Sequence, residues 1–148
     1  MTVGEALEGV SSILLDSAPL IYQVEQHPAY GRLMRAFFQI REERSIDVVT
    51  TPVTLAECLV VPIRAGLQNL AETYRAVLLR GKGSAFRTLG NEEADLAAHI
   101  RAQHNLRLPD ALQVAAALTN GCQAILTNDR RFTRVEAPRI LLLDELEA

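Results

Sequence analysis

The chain has 148 residues, 49% of them hydrophobic and 22% charged, which suits a single globular domain over residues 1–148 with a sizeable core. No apolar run reaches the roughly 18 residues of a membrane-spanning helix. A formal net charge of -3 speaks against a protein that holds nucleic acid by a bulk positive field.

SSILLD (11–16) is a short apolar run ending in an acid, and it reads as a buried strand. Leu20, Ile21 and Val24 follow at helical spacing. After a break at His27-Pro28 comes a second helical set, Leu33, Phe37 and Ile40. DVVTT (47–51) is the second strand. PVTLAECLVVPIRAG (52–66) is helical, with Pro62 expected to kink or end it. LAETYRAVLL (70–79) is a further helix and SAFRTL (84–89) a weak strand, with RGKGSA (80–85) as the loop before it. NEEADLAAHIRAQHN (91–105) opens on Asn91 as its expected N-cap, with two acids in the first turn. The helix that begins near Pro109 runs to Asn120-Gly121, a usual C-terminal stop. CQAILT (122–127) is the clearest strand and RILLL (139–143) the last. Apolar strands alternating with helices imply a parallel sheet covered on both faces. The expected fold is a three-layer α/β/α sandwich around four or five parallel strands.

The opening MTVGEALEGV carries two acids and no Lys or Arg, the wrong charge for a secretory leader. Cys58 and Cys122, the only cysteines, each lie in an apolar stretch and predict buried thiols in a reducing cytoplasm.

Open parallel sheets bind ligands beyond the carboxyl ends of their strands, and four acids converge there. Asp16 closes the first strand, and Asp129 follows Thr127 at the end of the fourth. Glu57 lies in the first turns of the helix that leaves the second strand. The link from Thr119 to Cys122 allows only a tight reversal, so the helix before it runs back along the fourth strand and sets Asp110 at the same end. Four carboxylates at one rim repel each other, and some stay protonated at neutral pH unless a cation is present. Mg²⁺ or Mn²⁺, as one ion or two, takes carboxylate oxygens and keeps waters for a substrate phosphate. Such an ion makes hydroxide from water and stabilises charge on a phosphoryl group, so the chemistry implied is phosphodiester hydrolysis.

Each acid also has a purely structural reading. DALQ (110–113) fits a capping box, with Asp110 as N-cap and Gln113 at the third helical position. The two roles are compatible, because a first turn favours an ionised carboxylate. Asp16 suits the N-cap of the next helix, Glu57 a helix first turn and Asp129 a turn after a strand. Arg130 and Arg131 either pair with Asp129, contact a phosphate or are solvated. His27, His99 and His104 show no metal spacing. RGKGSA is no P-loop, because the Gly that motif needs falls at Ala76. A receiver-type phosphoacceptor needs a Lys near the end of a late strand, and the only Lys, Lys82, precedes the third. A phosphatase with a nucleophilic Asp needs a second acid where Ala18 stands.

On ILLDSAPLIY (13–22), TPVTLAECLV (51–60), LRLPDALQVAAAL (106–118) and AILTNDRRF (124–132), the chain resembles the PIN-domain ribonucleases. Within them it is most similar to the VapC-like toxins of type II toxin–antitoxin pairs. The resemblance implies that Asp16, Glu57, Asp110 and Asp129 bind Mg²⁺ or Mn²⁺, with Ser17, Thr127 and Asn128 supporting them. It also implies RNA as substrate, a homodimer, and a small antitoxin that covers the acidic site. In an active endoribonuclease, Arg130 or Arg131 is the expected residue to steer the RNA. The chain departs from the family pattern at Ala18, where many members carry Asn or Ser. A PIN-like module that binds RNA or a partner protein without turnover is therefore the alternative to an active endoribonuclease.

Overall fold

The computed structural model describes residues 1–148. Its strands are β1 (Ser12–Leu15), β2 (Asp47–Thr50), β3 (Ser84–Phe86), β4 (Ala124–Thr127) and β5 (Arg139–Leu142). All pair in parallel, in the spatial order β3-β2-β1-β4-β5. β1 is the central strand, with Leu14 opposite Val49 on one side and Ile125 on the other. The expected three-layer sandwich is present, with the higher of the two strand numbers.

Side chains alternate across the sheet and divide the core in two. One face is covered by α1 (Val3–Ala6), α2 (Ser17–Val24), α3 (Gly31–Arg44), α4 (Pro52–Arg64) and α5 (Gln68–Arg80). There Ile13, Leu15 and Val48 pack with Leu20, Phe37, Cys58 and Tyr74. The other face is covered by α6 (Asn91–His104) and α7 (Leu108–Thr119). There Leu14, Val49 and Ile125 pack with Ala111, Val114, Ala115 and Phe132. Because both faces are covered, the strands read as continuous apolar runs, and β4 is buried along its whole length. No helix is long and apolar enough to cross a membrane.

Several boundaries fall elsewhere than the sequence pattern suggests. α1 was not anticipated; it is a single turn closed by a capping box, with the Thr2 amide donating to Glu5 Oε2 at 2.7 Å and the Glu5 amide to Thr2 Oγ1 at 3.2 Å. The N-cap of α6 is Gly90 rather than Asn91, because the Glu93 carboxylate accepts the Gly90 amide at 2.9 Å. α7 starts at Leu108 with Arg107 as N-cap, so Asp110 is its third helical residue and not its cap. Pro109 fits inside the first turn, where its missing N–H would have had no helical partner.

The C-terminal stop at Asn120-Gly121 holds. Gly121 has φ +68°, its amide donates to the Leu118 carbonyl, and the Cys122 amide to that of Ala117, which is a Schellman closure. This turn is the tight reversal that lays the N-terminal end of α7 beside the C-terminal end of β4. Pro62 lies in the last turn of α4, which ends at Arg64.

Both cysteines are free and buried. Cys58 is 1% exposed, and burial, helped by the charges of Glu57 and Asp16, pushes its thiol up to about 12. Since the thiolate is the reactive form, Cys58 is expected to resist a disulfide thiol reagent at about pH 8 in the native protein and to react once denatured. Rapid native labelling of Cys58, located by peptide mapping, would contradict this packing.

Candidate metal centre and active site

Four elements bring the acids to one end of the sheet. The Asp16 amide donates to the Leu126 carbonyl at 3.0 Å, which carries the β1–β4 ladder one residue past β1. The Asp16 side chain, in a residue only 7% exposed, caps α2 by accepting the Ser17 amide at Oδ1 (2.9 Å). Its Oδ2 accepts the Thr127 hydroxyl at 2.7 Å. Thr127 Oγ1 in turn accepts the Asp129 amide at 3.1 Å. On the other side, the Ser17 hydroxyl donates to Glu57 Oε1 at 3.2 Å. A continuous line of hydrogen bonds therefore runs from Glu57 through Ser17, Asp16 and Thr127 to Asp129. Asp110 stands beside it, paired with Arg107 at 3.1 Å.

Burial first, and the neighbouring charges of Asp110 and Asp129 after it, raise the Asp16 carboxyl against the lowering effect of its hydrogen bonds to Thr127 and Ser17. Glu57 is raised too, by burial and then by the charge of Asp16. Asp129 moves the other way, because hydrogen bonds from Arg131 outweigh its desolvation. The positive charge of Arg107 reaches Glu57 and Asp129, and that of Arg131 reaches Asp110. Four acids and two arginines thus share one electrostatic neighbourhood.

As the side chains stand, no group of three or more His, Cys, Asp or Glu is arranged to hold a metal ion. The donor chemistry still fits a hard divalent cation, since the rim offers carboxylate and hydroxyl oxygens. It also holds a buried carboxylate, Asp16, whose charged form is destabilised by burial. What such an ion would have to displace is visible: Asp110 and Asp129 already have arginine counter-ions.

The supporting residues divide. Ser17 and Thr127 lie in the hydrogen-bonded line. Asn128 does not; its Oδ1 accepts the Asp144 amide at 3.1 Å and ties down the segment after β5. Arg130 pairs with Glu145 at 3.2 Å on the surface. Arg131 pairs with both Asp129 oxygens, the shortest contact being 2.7 Å, and the Asp129 carboxylate caps the 3₁₀ helix Arg130–Arg134.

Two residues escaped the sequence reading. Arg107 is one, although its i, i+3 spacing to Asp110 is a legible pairing signal. Gln113 is the other in its true role. It is fully buried and points inward instead of closing a capping box. Its Oε1 accepts the Thr51 hydroxyl at 2.7 Å and its Nε2 donates to Thr54 Oγ1 at 2.9 Å. Thr51 is the N-cap of α4 and Thr54 lies in its first turn, so Gln113 fastens the helix of Asp110 to the helix of Glu57.

Fold and rim together define a three-layer α/β/α protein with an acidic C-terminal edge to its sheet. The chain belongs to the PIN domain family, whose model matches residues 13–138. Among solved structures it is similar to VapBC2 from Rickettsia felis bound to a DNA fragment from their promoter, at TM-score 0.72 and 12% identity over 88% of this chain and 98% of that one. It is similar to VapC20 from Mycobacterium tuberculosis, a sarcin-ricin loop cleaving toxin, at TM-score 0.69 and 17% identity over 85% and 98% of the two chains. A third likeness is to DNA-bound VapBC from Salmonella typhimurium, at TM-score 0.65 and 21% identity over 89% and 98%. At these identities the likeness is one of fold. No curated protein sequence matches the chain.

Proposed function

We propose that this chain is a Mg²⁺- or Mn²⁺-dependent endoribonuclease, hydrolysing RNA phosphodiester bonds as the toxin of a toxin–antitoxin pair. The observation that carries this reading is the hydrogen-bonded line joining Glu57, Asp16 and Asp129 through Ser17 and Thr127, with Asp110 alongside. A bound divalent ion supplies an activated water and neutralises charge developing on the phosphate. Asp16, Glu57, Asp110 and Asp129 are the residues that would hold it. Thr127 fixes one oxygen of Asp16 and the backbone of Asp129 together, and Ser17 orients Glu57; outer contacts of this kind tune metal sites. The M. tuberculosis relative, a sarcin-ricin loop cleaving toxin, supports RNA as substrate. The VapBC complexes support a small antitoxin as partner. A homodimer and a cytoplasmic setting belong to the same reading.

The test is a mixed RNA pool incubated with purified protein in Mg²⁺, in Mn²⁺ and in EDTA. Cleavage with either metal and none in EDTA is expected. Cleavage that persists in EDTA would remove the metal from the mechanism. No cleavage together with no thermal shift on adding either ion would remove the four-carboxylate site.

Ala18, and the arginines already paired with Asp110 and Asp129, favour a second reading: a PIN-like module that binds RNA or a protein without turnover. RNA retained equally in EDTA and in metal, with no cleavage in either, would select it.

A further inference from the structure

Arg107 occupies the position of a competing cation. Its side chain is 54% exposed, yet its Nε lies 3.1 Å from Oδ2 of Asp110, whose side chain is 4% exposed. Its Nη2 lies 3.4 Å from Oδ1, so the guanidinium covers both oxygens of a buried carboxylate from the solvent side. No other group of the protein accepts a hydrogen bond from it. Arg131 differs: three contacts of 2.7–3.1 Å clamp it to Asp129. Arg107 makes only two contacts, of 3.1 and 3.4 Å, and its own end of the pair faces solvent, so its hold is looser than the clamp of Arg131; a divalent ion carries twice the charge to the same oxygens. Once released, a guanidinium matches the geometry of a phosphate with its planar fork of donors.

Building on the metal-dependent reading above, we propose that Arg107 is an exchangeable counter-ion. It neutralises Asp110 in the metal-free chain, yields that carboxylate to the divalent ion, and then binds a backbone phosphate of the nucleic acid beside the site. Metal occupancy and substrate grip are thereby coupled through one side chain.

Two measurements on the whole chain test this, with wild type, Arg107→Gln and Arg107→Lys compared and their thermal midpoints checked. Mn²⁺ is titrated calorimetrically into metal-free protein without RNA. A labelled RNA dodecamer is then followed by anisotropy in Mn²⁺ and in EDTA, with its intactness checked on a gel. Arg107→Gln is expected to bind Mn²⁺ about threefold tighter, since no guanidinium has to leave. In Mn²⁺ it should lose about tenfold in RNA affinity, with the salt slope falling by about one. In EDTA, where Asp110 holds the arginine, its RNA affinity should hardly change. Arg107→Lys should keep part of the RNA affinity through its point charge.

Weaker Mn²⁺ binding by Arg107→Gln would overturn the proposal, because Arg107 would then only hold Asp110 in place. An equal loss of RNA affinity in Mn²⁺ and EDTA would overturn the exchange. Failure of the wild type to bind Mn²⁺ would remove the metal reading and the exchange with it. Failure confined to the variants' pattern leaves the metal reading standing.

Discussion

Asp16→Asn is expected to reduce RNA cleavage by at least about 10³-fold, the size of effect that follows from losing several kcal/mol of metal-assisted charge stabilisation. Its thermal midpoint is expected to hold or rise. Asp16 is buried, and its ionised form is the one that burial and the charges of Asp110 and Asp129 disfavour. Asparagine removes that charge, keeps the shape, and retains one acceptor for the Ser17 amide or the Thr127 hydroxyl. The sign with pH follows from linkage. A carboxyl whose folded pKa lies above its unfolded value gives stability that is fully present below the unfolded pKa and lost as pH rises through the folded one. The variant's advantage is therefore greatest at neutral pH and shrinks as acid protonates wild-type Asp16. Cleavage assays beside calorimetry at neutral and acid pH check both halves. A variant that cuts RNA at the wild-type rate would exclude Asp16 from the site.

Gln113→Ala is expected to lower stability by about 3 kcal/mol, from the cavity left and the hydrogen bonds lost together. For a chain of this length that is roughly 9 °C in the midpoint. Cleavage should fall as well, because the carboxamide joins α7 to the first turn of α4 through Thr51 and Thr54, and those helices carry Asp110 and Glu57. Gln113→Leu should be the milder change, because it loses the same hydrogen bonds to Thr51 and Thr54 but fills the volume that alanine leaves empty. Thermal unfolding of the two variants beside wild type decides it. If Leu destabilised as much as Ala, the loss would lie in the hydrogen bonds alone.

The strands were legible because a sheet covered on both faces needs uninterrupted apolar runs, and chain order then put the acids at one end. What was not legible depends on partners distant in sequence. Gln113 sits three residues after Asp110, which matches a capping box, and nothing local says that its carboxamide turns inward to Thr51 and Thr54 instead. Asn128 and Arg130 look like neighbours of Asp129, but the segment at Asp144 and Glu145 takes both. The spacing of Arg107 to Asp110 was readable, whereas the contrast between a buried carboxylate and an exposed guanidinium, on which its role turns, belongs to the folded chain. α1 is four residues long, too short for periodicity to reveal, although the Thr2 and Glu5 of its capping box stand in the sequence.

The central strand takes its second neighbour very late in the chain. Leu15 pairs with Leu126, and the Thr127–Asp16 hydrogen bond spans 111 positions. During synthesis, β1 can meet β2 early, but its other edge stays open until residues 124–127 have left the ribosome, and Asp129 follows them. A nascent chain, or one that terminates before that point, lacks both the strand that closes the middle of the sheet and the last carboxylate of the rim. For a protein read as a cutter of RNA and made from an RNA template, the order of translation separates making the chain from arming it.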